Sequence, residues 1–266
     1  MRHQKNSSVV SYPHTFGERM YSLFFAPVLL VVVFFVVAKL LHFSGNFSQI
    51  SFYTLGLAGL STTYRLVVAY CFAVVVAVPL AILATKNSFM ENIFLPIFDI
   101  LESIPILAFF PILILLFVKF NFINGAAIFI LFLSMLWNIV FTLIGGIKII
   151  PKDIEYAAAV FNIKGWKYVR QVMLPAISPE IVTGSILAFA QGWNLIIVAE
   201  VMHVYIPAGT QSQDLFGLGS ILVQSATSGQ NFLFLSTLLV MIMIIAVFNF
   251  FIWQKLLHYV QKYKFE

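Results

Sequence analysis

Asp99 and Glu102 lie three residues apart inside an apolar block, a spacing that puts both carboxylates on one face of a helix. Pro105 and Pro111 follow and break the backbone ladder beyond them. A lone carboxylate at the centre of a membrane helix costs roughly 2.5–3.5 kcal/mol on insertion scales, so such a pair belongs beside protein or in a wet cavity. Two readings stand. Either the pair lies near the cytoplasmic end of its helix and meets Lys or Arg there, or it gates a path through the membrane. Anion binding is disfavoured, because two negative charges repel it. Asn138, Gln191 and Asn194 are uncharged polar residues within apolar stretches, suited to hydrogen bonding between helices or to lining the same path. Glu200 closes a further apolar stretch, where surface solvation competes with a structural role.

Other chemistry finds no support. His203 and His258 have no partner at ligand spacing, so no metal site is expected. The single cysteine, Cys71, lies inside an apolar run and allows no intrachain disulfide. No nucleophile and base stand in a catalytic pattern, so enzymatic activity is not expected. The chain contains no G-x-x-x-x-G-K-[ST] and cannot cradle ATP phosphates by that route. No cofactor is expected on the chain itself.

Membrane helices must position these polar groups. Of the 266 residues, 61% are hydrophobic and 9% charged, with 29 phenylalanines; ordinary soluble domains carry roughly 25% charged residues. Apolar blocks approach or exceed the ~20 residues that cross a ~30 Å hydrocarbon layer. Runs such as PVLLVVVFFVV are apolar at every position, whereas barrel strands alternate. Six spans are predicted, at about 21–41, 62–85, 92–118, 124–147, 178–201 and 231–253, in one transmembrane domain over 1–266. The first is long enough to span and has no small-residue cleavage site after it, so it reads as a retained helix.

The net charge of +5 forms no basic domain, and no nucleic-acid partner is expected. With the N-terminus inside, twelve of the fifteen Lys and Arg face the cytoplasm, leaving Lys39, Arg65 and Lys119 opposite. The positive-inside rule then puts both termini in the cytoplasm. Two connections exceed hairpin length: a charged one at about 148–177 and one rich in Gly, Ser and Gln at about 202–230. Function is sought there first.

The segment Pro151 to Glu180 reads as two short helices and a restart. Pro151 suits a first turn, and Asp153 and Glu155 suit the positive end of a helix dipole. Ile154, Ala157, Ala158 and Phe161 recur at helical spacing and form one face whose small centre lets another surface approach. Asn162 suits a left-handed helix end, Gly165 adds freedom, and Lys164, Lys167 and Arg170 follow. Leu174-Pro175 stops the second helix. Ser178-Pro179-Glu180 reads as an N-cap and first turn. An amphipathic segment lying on anionic lipid would fit the same residues.

Here the sequence resembles the integral membrane subunits of binding-protein-dependent ABC importers. Their signature is Glu-Ala-Ala, three residues, Gly, then nine residues and an apolar-x-Leu-Pro ending. Aligned on Leu174-Pro175, it puts the alanines at Ala157 and Ala158 and the apolar residue at Val172. Asn162 stands at the glycine and Tyr156 at the glutamate, with Glu155 one residue earlier. The stretches Leu95 to Leu116, Gly192 to Glu200 and Gly217 to Ala226, with the C-terminal tail, are similar to the branch importing nitrate, sulfonates and taurine.

The resemblance implies an all-α, type I-like permease with a coupling segment at about 151–175. It implies a multi-pass subunit of the bacterial inner membrane, paired with a second permease, identical or homologous, and surrounded by lipid. It implies a cytoplasmic ABC ATPase dimer that uses ATP and grips the helix around Ala157 and Ala158, and an external solute-binding protein that delivers the cargo. The alternatives are an ion-gradient-driven secondary transporter, a membrane-embedded enzyme and a passive scaffold.

Overall fold

The computed structural model describes residues 51–120, 122–205 and 214–260, with Val32, Val36, Lys39 and Tyr263 besides. Apart from three of those residues, the expected first span at 21–41 lies outside the described residues. The chain divides into two compact units, Met1–Phe43 and Ser44–Glu266. The described elements of the second unit are all helical. Among the described residues, four helices are long and apolar enough to cross a membrane, or five if a bent pair counts as one span.

Helix α1, Phe52–Ala84, begins ten residues before the predicted 62. Ser51 supplies the reason, because its side chain accepts from the Thr54 N–H at 3.2 Å and caps the helix. Alanines 69, 73, 77, 81 and 84 are fully buried, most of them four residues apart, and make a smooth face. That face admits the central helix α4, Ile123–Lys148, whose middle is buried between α1 and α7, Ser178–Glu200. Close approach continues at Gly192, where an added Cβ would collide with the Met135 side chain.

The predicted third span is corrected to two helices, α2, Ser88–Ser103, and α3, Ile106–Lys119, bent by 79°. Ile104 precedes Pro105 and takes an extended conformation with ψ 124°, the region a following proline enforces. At 1.5 Å per residue neither piece alone reaches ~30 Å.

Helix α5, Lys152–Val160, is followed by α6 at 166–176. Leu174-Pro175 does not stop α6, contrary to expectation: the helix passes through it after a π turn at Val169–Met173. There the Leu174 N–H bonds Val169 O, and the wider turn makes room for a proline ring that lacks its own donor. Ser178 does not cap α7 either. Ile177 holds the cap position, and the buried Ser178 Oγ finds no partner among the described residues.

The long connection after α7 contains helix α8, Leu218–Thr227. Helix α9, Asn231–Val260, runs seven residues past the predicted end through a π turn at Asn249–Trp253. Tyr70, Phe189, Phe248 and Trp253 pack there, with ring centroids 4.9 Å apart for Tyr70–Phe189 and 5.1 Å for Phe189–Trp253.

Candidate functional site

The segment joining α4 to α7 builds a surface. Pro151 occupies the cap of α5, and Asp153 and Glu155 lie in the first turn. Asn162 has φ 53°, the left-handed conformation that its short polar side chain tolerates. Around it the Ile163 N–H bonds Ala158 O at 2.8 Å and the Asn162 N–H bonds Ala159 O at 3.0 Å. This is a Schellman closure, which satisfies carbonyls the helix end would otherwise leave open. Gly165, at φ 58°, turns the chain into α6.

The single face expected from Ile154, Ala157, Ala158 and Phe161 is corrected, because the structure divides it. Ala158 is buried, and Ile154 is half-buried and packs against the core. Tyr156, Val160, Phe161 and Trp166 point away, with 65, 82, 76 and 73% of their surfaces exposed. Ala157 is exposed with them, and Leu174 and Pro175 are half-buried in α6. Four large apolar residues on one short segment form an unusually open patch. Beside it, burial first and the Glu155 charge second raise the Tyr168 hydroxyl above its ordinary pKa.

Asp99 and Glu102 are exposed and form no ion pair among the described residues. On the same helix Glu91, in the first turn of α2, pairs with Lys148 at 2.6 Å. Asp99 lies roughly 12 Å further along the helix axis. Asn138 donates from its side chain to Ser134 O at 3.3 Å, and its main-chain carbonyl accepts from Thr142 Oγ1, so its bonds stay within α4. On α7, Thr183, Leu187, Ala190 and Asn194 form an exposed stripe, with Gln191 half-buried beside it. The Gln191 and Asn194 amides have no hydrogen-bond partner among the described residues.

The strongest polar constellation was not predicted. Glu200 is fully buried rather than solvated, and Arg65 lies beside it with Nη1 to Oε1 at 2.7 Å. Thr62 Oγ1 donates to the same oxygen at 2.7 Å and accepts from the Leu218 N–H at 2.9 Å. Glu200 Oε2 accepts from the Gly219 N–H at 2.7 Å. Arg65 also donates to Asn124 Oδ1 at 2.9 Å and to Phe216 O at 3.0 Å. A signal for this existed. Arg65 stands in an apolar span that cannot hold an unpaired charge, and Glu200 ends another span.

These features define a multi-pass helical membrane protein that exposes apolar side chains between α4 and α7 and closes a charge network at the end of α7. Residues 74–258 match the family described as binding-protein-dependent transport system inner membrane component, and the chain belongs to that family. It has the type I permease fold. One solved chain, from the inward-facing MetNI methionine ABC transporter, superposes with a TM-score of 0.62 at 19% identity, covering 79% of this chain and 97% of that one.

Among curated relatives, the nitrate import permease protein NrtB of Leptolyngbya laminosa is 31% identical over 156 residues, 59% of this chain and 55% of that protein. The bicarbonate transport system permease protein CmpB of Synechococcus elongatus is 32% identical over 138 residues, 52% of this chain and 49% of that protein. The chain spans about half the length of the curated relatives it matches.

Proposed function

We propose that this chain is the membrane subunit of an ATP-driven importer for a small anion of the nitrate, sulfonate or taurine type. The supporting observation is the exposure of Tyr156, Val160, Phe161 and Trp166 on a segment whose Ala158 is buried and whose helix is closed by Asn162. A patch so exposed beside charged residues suits docking to a partner protein. The partner is a cytoplasmic ABC ATPase dimer, which supplies the nucleotide chemistry that this sequence lacks the motif for. The Lys148 end is cytoplasmic by the positive-inside rule, and both termini lie on that side. The Glu200 end faces an external solute-binding protein.

The Gln191 and Asn194 amides on α7, without a partner among the described residues, line the path, because neutral amides facing lipid would go unsatisfied. Asp99 and Glu102 contribute a gate beside the α2–α3 break. Exposed apolar faces elsewhere meet lipid and a second permease subunit. Relatives named for nitrate and bicarbonate import support a small-anion cargo.

The test is reconstitution of the chain with its ATPase in proteoliposomes, with nitrate, bicarbonate and taurine offered in turn. ATP-dependent uptake of one of them is expected. Uptake driven by an ion gradient with no ATPase bound would overturn the reading.

A further inference from the structure

The network at the Glu200 end shares no residue with the segment between α4 and α7, and it joins α1, α4 and α7 to the segment 215–219. Each of its bonds to that segment ends on main chain. Arg65 Nη2 donates to Phe216 O, Thr62 Oγ1 accepts from the Leu218 N–H, and Glu200 Oε2 accepts from the Gly219 N–H. The Glu200 main-chain carbonyl accepts from the Leu215 N–H at 2.9 Å.

Leu218 and Gly219 open α8, and the cap residue Gly217 has no side chain with which to satisfy their donors. Other helices therefore do the capping, and a buried carboxylate complements the positive end of the α8 dipole. The glycines are required by this grip. A Cβ on Gly217 would collide with the Glu200 carboxylate, and one on Gly219 would lie 2.8 Å from Ile197 Cα. The held segment also walls a cavity of about 440 Å³ with Ser51, Thr54, Ser220 and Gln224.

Well-packed apolar side chains could replace a buried ion pair with no loss of stability. They could not bond this backbone. We infer that Arg65 and Glu200 are positioning residues that clamp the segment 215–219, with α8 behind it, onto α1, α4 and α7 throughout the transport cycle. The cavity wall keeps its shape while access changes elsewhere. A sliding motion would have to break several short bonds at once in a low-dielectric site, where an unpaired charge is costly. The inference rests on the importer reading only in presupposing a cycle.

The test uses the full chain in lipid nanodiscs with the exposed Cys71 replaced by Ser. Spin labels go on Tyr64→Cys of α1 and Thr227→Cys of α8, both at exposed positions. One narrow label distance is expected, the same in the chain alone, with the ATPase, and with the ATPase trapped by nucleotide. Arg65→Met and Glu200→Gln broaden that distance, and Arg65→Lys, which retains a charge but not the three-way reach, falls between. Uptake by Arg65→Met drops about tenfold or more while the ATPase stays bound.

A distance that shifts by more than about 5 Å between states, the scale of a one-turn slip, overturns the clamp. So does a distance that stays narrow in Arg65→Met. If Arg65→Met does not fold, Thr62→Val, which removes one hydroxyl, decides by the same criterion. Failure to bind any ATPase would refute the importer reading, while the label widths in the chain alone still decide the clamp.

Discussion

Between α4 and α7 the chain turns large apolar side chains outward; where α1 meets the end of α7 it turns a charge pair inward. Tyr156, Val160, Phe161 and Trp166 are left uncovered although the segment beneath them closes its own backbone bonds through Asn162. Arg65 and Glu200 are buried, and their bonds run to another segment's backbone. A surface whose polar groups are settled internally can be joined and released by a partner without stranding donors. A buried ion pair whose partners are main-chain groups cannot be opened so cheaply.

The largest effect tests the closed end. Glu200→Ala removes one member of the pair and leaves the Arg65 guanidinium buried, a change that typically costs about 3–5 kcal/mol. Purified Glu200→Ala should show a markedly lower Tm or poor recovery from the membrane. A variant as stable as the parent would mean the network is not closed as described.

The open end should respond differently. Phe161→Ala and Trp166→Ala should each weaken ATPase docking by roughly 2 kcal/mol, about thirtyfold, at unchanged abundance. Titration of the ATPase against purified permease reads this directly. Ala158→Trp should instead lower stability, since overpacking a buried site costs about 1–3 kcal/mol. Equal abundance of Ala158→Trp and the parent would return Ala158 to the docking face.

A smaller effect separates backbone from surface. Asn162→Gly should be neutral in uptake and stability, because glycine takes φ near 53° freely. Asn162→Val should cost about 1–2 kcal/mol, the penalty of a left-handed conformation for a residue with a Cβ and no local hydrogen bond. Loss of function in Asn162→Gly would show that the amide side chain, not the conformation, matters.

The sequence determined much of this molecule through composition and local chemistry. Blocks too apolar for water dictate membrane helices, and the positions of α4 and α7 follow from the blocks themselves. Asn162 announces a left-handed helix end from its residue type and spacing. These are properties of a few neighbouring residues.

Tertiary structure decided what depends on distant partners. Nothing near Ala158 in the chain says that it is buried while Val160 stays bare. Thr62, Arg65, Asn124, Glu200 and Gly219 come from four separate stretches, and only packing brings them within 3 Å of one another's groups. Buried charge needs a partner, a need legible at Arg65 from sequence alone. Which partner meets it is set by the fold.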